Sequence, residues 1–399
     1  MSNELIQLPT PGESILETHE RIRRSGELVP IELPGGVPAC IAVSHRAVSE
    51  VLDDKVFAKH PSNCPALHDG RIPADWPLRA LTDAEHMLNQ DGAAHRRLRQ
   101  TINKAFTPAR IAALEPRIQQ IADELIDAFP DTDEIDLISS YTTPLPVRVI
   151  CDLFGVPVDE QPALKNWTLT IVSVTSTGEE AQAAMAAMGA YFFELLARKR
   201  REPGNDLTSA LLAANEQNEL TDEEMVGMLW LAIVAGHETT VHLLGNIVVA
   251  LQEYPEQLAR AQAEDRWADV VEEGLRCRSS VVGALMRYPV RDVTVAGVEI
   301  AAGTPTLWHG GIGRDPMRYR DADVFDIDHE HHDQLAFGRG PHFCLGAPLA
   351  RSESRIALST LFSRYPDLAL AVPIPEIEYT VQISTVGPVA LPVRLKPAG

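Results

Sequence analysis

Residues Leu335–Ala350 read LAFGRGPHFCLGAPLA, and one cysteine, Cys344, stands between a glycine-rich loop and the start of a helix. Phe337, Gly338, Gly340 and Pro341 belong to the loop, because glycine and proline interrupt both helical and strand periods. Beyond Cys344 the apolar residues Leu345, Leu349, Ile356 and Leu361 return at helical spacing, with Pro348 tolerated in the first turn. A thiolate at Cys344 is therefore expected to face unpaired backbone N–H groups and the positive end of a helix dipole, both of which lower a thiol pKa. Gly346 has no Cβ and lets something broad and flat approach the backbone. These features suit a metal held in a large planar ligand by one axial sulfur, for which thiolate-ligated haem is the precedent.

The run FGRGPHFCLG, residues 337–346, resembles the haem-binding loop of the cytochrome P-450 superfamily, Phe-Gly-x-Gly-x-His-x-Cys-x-Gly. The resemblance implies haem b (iron protoporphyrin IX) as cofactor and Cys344 as its metal ligand. It places Phe337, Gly338 and Gly346 around the haem and His342 on a propionate, while Arg339 takes the place of the common histidine.

Three further motifs follow the same order as in that superfamily. Within DGAAHRRLRQTINKAFTPAR, residues 91–110, His95 and Arg99 are four apart and share one helix face. Two cationic donors on one face suit a pair of carboxylates, and the resemblance makes these the haem propionates. Arg96 and Arg97 point elsewhere, toward a surface suited to an acidic electron donor.

The second motif lies in Thr221–Gln252, which reads as one long helix. Thr221 with Glu224 forms a capping box, and Tyr254-Pro255 ends the run. At about 1.5 Å per residue it would span roughly 48 Å. It is apolar almost all round and so is expected to be buried. A membrane span is disfavoured by His237, Glu238, His242 and Asn246 at its centre. Glu238 and Thr239 put an acid and an alcohol mid-helix, where burial is costly. Thr239 can bond back to the carbonyl of Ala235, four residues earlier, and open a groove beside Gly236. This matches the family's Ala-Gly-x-Glu/Asp-Thr motif of oxygen activation, which implies Ala235 and Gly236 at the haem and Glu238 and Thr239 as catalytic proton carriers.

The third motif is Glu273-Gly274-Leu275-Arg276, whose charged ends are three apart and pair side by side. The family's Glu-x-x-Arg is structural; Gly274 within it should weaken the helix. Downstream, Arg287 matches a propionate-binding basic residue. Val281, Val282 and Leu285, with Val234 and Thr385, are expected to meet substrate.

The rest of the chain frames these motifs. Ser14–Ser25 and Ser44–Leu52 read as helices, and Leu28–Ser44 as a hairpin around Pro34-Gly35-Gly36. Phe57–Gln90 has no sustained period and reads as a long loop, which in the family covers the substrate pocket. Ile111–Phe129, Ser139–Phe154, Glu179–Arg201 and Trp267–Arg276 read as helices. Asn166–Thr177 is apolar and β-branched, Val293–Trp308 reads as two short strands, and Thr380–Leu395 as a closing β-hairpin.

With 399 residues and 45% hydrophobic content a substantial core is available. The net charge of -21 argues against nucleic acid as a partner. Five scattered cysteines give no disulfide framework and fit a reducing cytosol. The N-terminus lacks a basic region followed by an apolar run, so neither a signal peptide nor a membrane anchor is expected.

The resemblance thus implies a mainly α fold with small β-sheets (α+β) in one domain, residues 1–399. Haem lies between the long central helix and the cysteine-loop helix. The resemblance also implies a cytoplasmic monooxygenase whose substrate is a lipophilic small molecule such as a polyketide, macrolide or steroid. O2 and a ferredoxin or flavodoxin-type donor with its reductase complete the scheme, since no Gly-x-Gly-x-x-Gly follows a strand. A monomer is expected. Two other classes stay open on the residues alone. One is a haem-thiolate sensor without turnover. The other is a non-haem metal hydrolase using His329, His331 and His332.

Overall fold

The computed structural model describes residues 5–8, 14–53, 55–172, 176–215, 220–283, 286–330, 333–382 and 384–395. The longest element is the helix Asp222–Glu253. Its start is the expected capping box: Thr221 Oγ1 accepts from the Glu224 N–H at 3.2 Å, and the Glu224 carboxylate accepts from the Thr221 N–H at 3.0 Å. Asp222, Glu223 and Glu224 stand at the positive end of the helix dipole. From Met225 to Leu251 buried residues occur on every side, which places this helix in the centre. Helices Pro144–Phe154, Gly178–Arg201, Trp267–Cys277 and Ala347–Arg364 pack around it.

Two glycines explain how closely these helices approach. A Cβ on Gly274 would lie 2.4 Å from Ile247 of the central helix, so the cost of glycine within Glu273–Arg276 is offset by a tight crossing. A Cβ on Gly236 would lie 2.9 Å from Ile150 Cδ1.

The β-structure is small and lies to one side. Leu28–Leu33 and Val37–Ala42 form the expected antiparallel hairpin. A four-stranded sheet runs in the order Ile6–Gln7, Leu28–Leu33, Val37–Ala42, Thr306–Trp308. Val293–Val295 and Val298–Ile300 make a separate hairpin across Ala296 and Gly297, both with positive φ. Val293–Trp308 thus holds a third strand, which leaves its neighbours to pair in parallel with Val37–Ala42.

Other expectations need correction. Among the described residues, Thr380–Leu395 forms no continuous hairpin. Pro392–Arg394 instead lies between Ala369–Leu370 and Glu134–Asp136, and Tyr379 and Pro388 make only an isolated bridge. Pro388 and Pro392 have no N–H with which to extend a ladder. The Ser139–Phe154 stretch opens on a π-helical turn, Ile138–Thr142, before Pro144 starts the α-helix. The helix placed at Ile111–Phe129 begins earlier, at Pro108, behind Thr107 as N-cap. The β-branched run from Asn166 lies in the helix Gln161–Val172, where packing on Gly178–Arg201 overrides β-propensity. Phe57–Gln90 is largely irregular as expected, relieved by three 3-10 turns, the one-turn α-helix Arg79–Thr82 and the two-residue strand Phe57–Ala58. Among the described residues no helix is long and apolar enough to cross a membrane.

Candidate active site

The cysteine loop is built by backbone hydrogen bonds and two left-handed glycines. Gly338 and Gly340 have φ of 69° and 71°, a region that favours glycine. The Cys344 N–H donates to the Phe337 carbonyl at 2.9 Å and closes the loop. Arg351, one turn into the helix Ala347–Arg364, pairs with Glu272 and stacks 4.7 Å over the Phe337 ring. Arg99 reaches the same loop from the helix Gly92–Ala105, donating to the Phe343 carbonyl at 2.8 Å.

The charge state of Cys344 differs from the expectation. Burial pushes its thiol pKa up, and the Gly346 and Ala347 N–H groups with Arg99 and Arg351 only partly pull it back. The donors foreseen at the helix start are present, but loss of solvent outweighs them. A bound metal cation supplies the missing charge and deprotonates a coordinating thiol.

Above the cysteine lies a cavity. Ala235, Thr239, Thr240 and Leu243 of the central helix line one side; Phe337, Gly338, His342, Cys344 and Ala350 line the other. Thr239 Oγ1 donates to the Ala235 carbonyl at 3.1 Å, as its spacing implied. The helix stays α-helical through this point, so the bond opens no break in it. Gly236 is corrected: its bare Cα faces Ile150, and its small size serves helix packing. Glu238 is buried, accepts from Gln382 Nε2 at 2.8 Å, and has its carboxyl pushed up by burial to about 7.

One edge of the cavity gathers positive groups. Lys59, Arg287 and His342 line it, and the His95 ring lies 4.1 Å from that of His342. Lys59, Arg287 and His95 are buried. Burial, then Lys59, His95 and Arg287, holds His342 down to about 2. Burial and Arg287 hold Lys59 well below its usual value, and Asp91 is the acid that offsets them. His95 Nε2 is buried with no hydrogen-bond partner. Asp91 offsets only part of this positive charge, and two carboxylates on a flat macrocycle would offset more. The residues present therefore fit haem: a sulfur below, small and apolar residues above, and cations at one rim.

Lys59 is the member that sequence reading missed, since it sits in the aperiodic stretch and carries no motif. Glu353 was also passed over. It is buried in the cysteine-loop helix, neither carboxyl oxygen has a partner, and burial pushes its pKa well up. Arg97 is corrected as a docking residue, for it donates to Glu224 at 2.9 Å.

Of the expected substrate contacts, Val281 lines the cavity. Val282 instead packs with Val386 and lines a separate cleft beside His19 and His309. Val234 packs against the main core. Thr385 is buried with its hydroxyl donating to Gln382 Oε1. Leu285 lies outside the described residues. Glu273 and Arg276 pair at 2.6 Å, and His329 Nδ1 lies 3.0 Å from the same carboxylate oxygen. His329 is thereby engaged away from any metal, and His331 and His332 lie outside the described residues. Among those described, no group of three or more His, Cys, Asp or Glu is placed to hold a metal ion.

Comparison with known proteins adds to this geometry. The cytochrome P-450 family model matches residues 5–203 and 192–370. Cytochrome P-450 107B1 of Saccharopolyspora erythraea is 37% identical over 387 residues, 95% of either chain. Vitamin D(3) 25-hydroxylase of Pseudonocardia autotrophica is 37% identical over 396 residues, 98% of this chain and 94% of that one. The structure of testosterone-bound CYP154C4 from Streptomyces sp. ATCC 11861 matches with a TM-score of 0.91 at 36% identity, over 95% of either chain.

Proposed function

The chain belongs to the cytochrome P-450 family and is a haem-thiolate monooxygenase with haem b as cofactor, and from that premise we propose how its residues divide the work. Cys344 holds the iron. His95, Arg287, His342 and Lys59 hold the propionates, and Arg99 braces the cysteine loop through Phe343. Phe337, Gly338, Gly346 and Ala235 shape the two faces of the haem slot. The observation that carries this is the half-buried Cys344 sulfur, which lines one cavity with Ala235 and Thr239 and a cationic rim.

Bound haem b supplies dioxygen binding and redox chemistry. The balance is one C–H substrate, one O2, two electrons and two protons, giving one C–OH and one water. The chain's part is to move those protons and exclude others. Thr239 Oγ1 holds a proton at the cavity face and, by releasing the Ala235 carbonyl, can turn it into the cavity. Glu238, held near neutrality, can lose and regain a proton at working pH. Glu273 and Arg276 hold the underlying scaffold.

Enzymes of this family take O2, lipophilic substrates and electrons from a redox partner. We assign the partner as a ferredoxin or flavodoxin-type protein. The exposed ring of Phe343, one residue before Cys344, with the exposed Arg96 supports a docking face there. A polycyclic or macrocyclic lipophile such as a steroid or polyketide is the proposed substrate class. The relatives named for vitamin D(3) and solved with testosterone support it, as does the apolar wall of Leu243, Val281 and Phe337. The 399 residues act as one cytoplasmic, monomeric domain.

The test is to load the protein with hemin, record the red-shifted band of the ferrous carbon monoxide complex, and screen steroids and macrolides for a Soret shift. Hits are then turned over with NADPH and a surrogate ferredoxin chain. Substrate-dependent product is expected, and Thr239→Ala should divert oxygen to peroxide. Ligand binding without turnover would return the sensor reading.

A further inference from the structure

We infer that Gln382 is a positioning residue for Glu238: its side-chain amide, oriented by the Thr385 hydroxyl, holds the Glu238 carboxyl in place in both its ionised and its protonated form. This rests on the reading of Glu238 as a proton carrier.

Three elements meet at this amide. Glu238 projects from the buried central helix and accepts from Gln382 Nε2 at 2.8 Å. Thr385 Oγ1 donates to Gln382 Oε1. Thr385 is itself bridged through its backbone to Val281, a wall residue of the cavity. The chain of bonds therefore runs from the cavity wall to the carboxyl without a charged group in it.

That absence of charge matters. Burial raises the Glu238 pKa, and Gln382 is the group that lowers it. The neighbours His237 and His242 on the same helix are buried, with their own pKa values lowered by burial. Lys165, from the helix Gln161–Val172, lowers the pKa of His237 and has no part in the shift of Glu238. A fixed cation here would favour the ionised carboxyl, and a fixed anion the protonated one.

An amide can serve either. With Glu238 ionised, the NH2 donates to it and the C=O accepts from Thr385. With Glu238 protonated, a half-turn of the amide presents the C=O to the acid proton. The NH2 then donates to the Thr385 oxygen, whose own hydrogen rotates aside. Neither state leaves the amide or the acid without a partner in a buried site. The bond to the ionised form is charge-assisted and the stronger of the two, so the amide holds both forms while lowering the midpoint.

The experiment uses the haem-loaded full chain and infrared difference spectra across a pH titration. The protonated-carboxyl band of Glu238 is identified by its loss in Glu238→Gln, with any Glu353 band as an internal reference. Gln382→Met keeps the length and packing but removes the amide. It should raise the Glu238 midpoint by about one pH unit, a tenfold gain in proton affinity. Thr385→Val should move it in the same direction by less. Peroxide formed per NADPH with the surrogate redox chain should rise in Gln382→Met. An unmoved midpoint and wild-type peroxide in Gln382→Met, while Thr239→Ala and Glu238→Gln both raise peroxide, overturns this inference alone. Wild-type peroxide in those latter two variants overturns the proton-carrier reading beneath it.

Discussion

Arg276 Nη2 donates to Glu273 Oε1 at 2.6 Å, and neither side chain has any exposed surface. Arg276 also donates to the carbonyls of Gly313, Ala322 and Val324 at 2.5, 2.8 and 2.7 Å. The guanidinium thus ties the helix Trp267–Cys277 to the irregular chain that leads into the cysteine loop. Glu273→Ala would leave this cation buried without its carboxylate, a loss of about 3–5 kcal/mol. We expect a large fall in soluble yield and in Tm, checked by thermal denaturation. Arg276→Lys should not rescue, because an ammonium cannot reach three carbonyls and a carboxylate in one plane.

Cys344→Ala should abolish turnover and the red-shifted ferrous carbon monoxide band. The fold should survive, since a half-buried free cysteine packs as a small apolar residue. Spectra and product assays decide this; unchanged turnover would contradict the assignment of the sulfur.

Lys59→Met should act in opposite directions on the two forms of the protein. Without haem, it removes one of several buried cations that repel one another, and the apoprotein should become more stable. With haem, it removes a propionate partner, at a cost of about 1–2 kcal/mol, or roughly tenfold in retention. Haem transfer to a scavenger protein and urea unfolding of the apoprotein measure the two effects.

Glu238 makes stability depend on pH. Its folded pKa of about 7 stands above the ordinary 4.5. Its contribution is therefore fully present below 4.5 and is lost as pH rises through 7. Glu238→Gln should be more stable than the parent above that pH, by up to about 3 kcal/mol, and should lose this slope. Equal pH dependence of Tm in the two proteins would remove Glu238 as its source.

His19 and His309 act at the other end of the scale. Their rings meet edge to face at 5.1 Å, and both are buried. Burial lowers His19 from 6.5 to about 4, and burial with His19 lowers His309 further. A depressed histidine stabilises the fold above its unfolded value and loses that contribution as pH falls from 6.5 toward 4. His19→Phe should flatten acid denaturation in this window by up to about 3 kcal/mol, read from urea midpoints at several pH values.

Much of the site could be read from local spacing. The capping box at Thr221 and Glu224, the bond from Thr239 to Ala235 and the pair Glu273–Arg276 are three- or four-residue relations, and helix geometry alone sets them. The cysteine loop was legible because glycines at 338 and 340 permit backbone angles that other residues resist. The C-terminal hairpin was misread because strand partners are chosen across the chain: Pro392–Arg394 found Glu134–Asp136.

By itself, then, the sequence determined which short-range bonds the candidate residues make, because those depend on fixed steps along a helix or turn. Tertiary structure alone decided their charge and company. Arg97 was claimed by Glu224 from 127 positions away, and Glu238 by Gln382 from 144. Lys59 joined the cationic rim from a stretch without periodicity. The Cys344 thiol went up and not down. Burial and long-range approach set these outcomes, and both come into being only when distant segments have closed on one another and driven out the water.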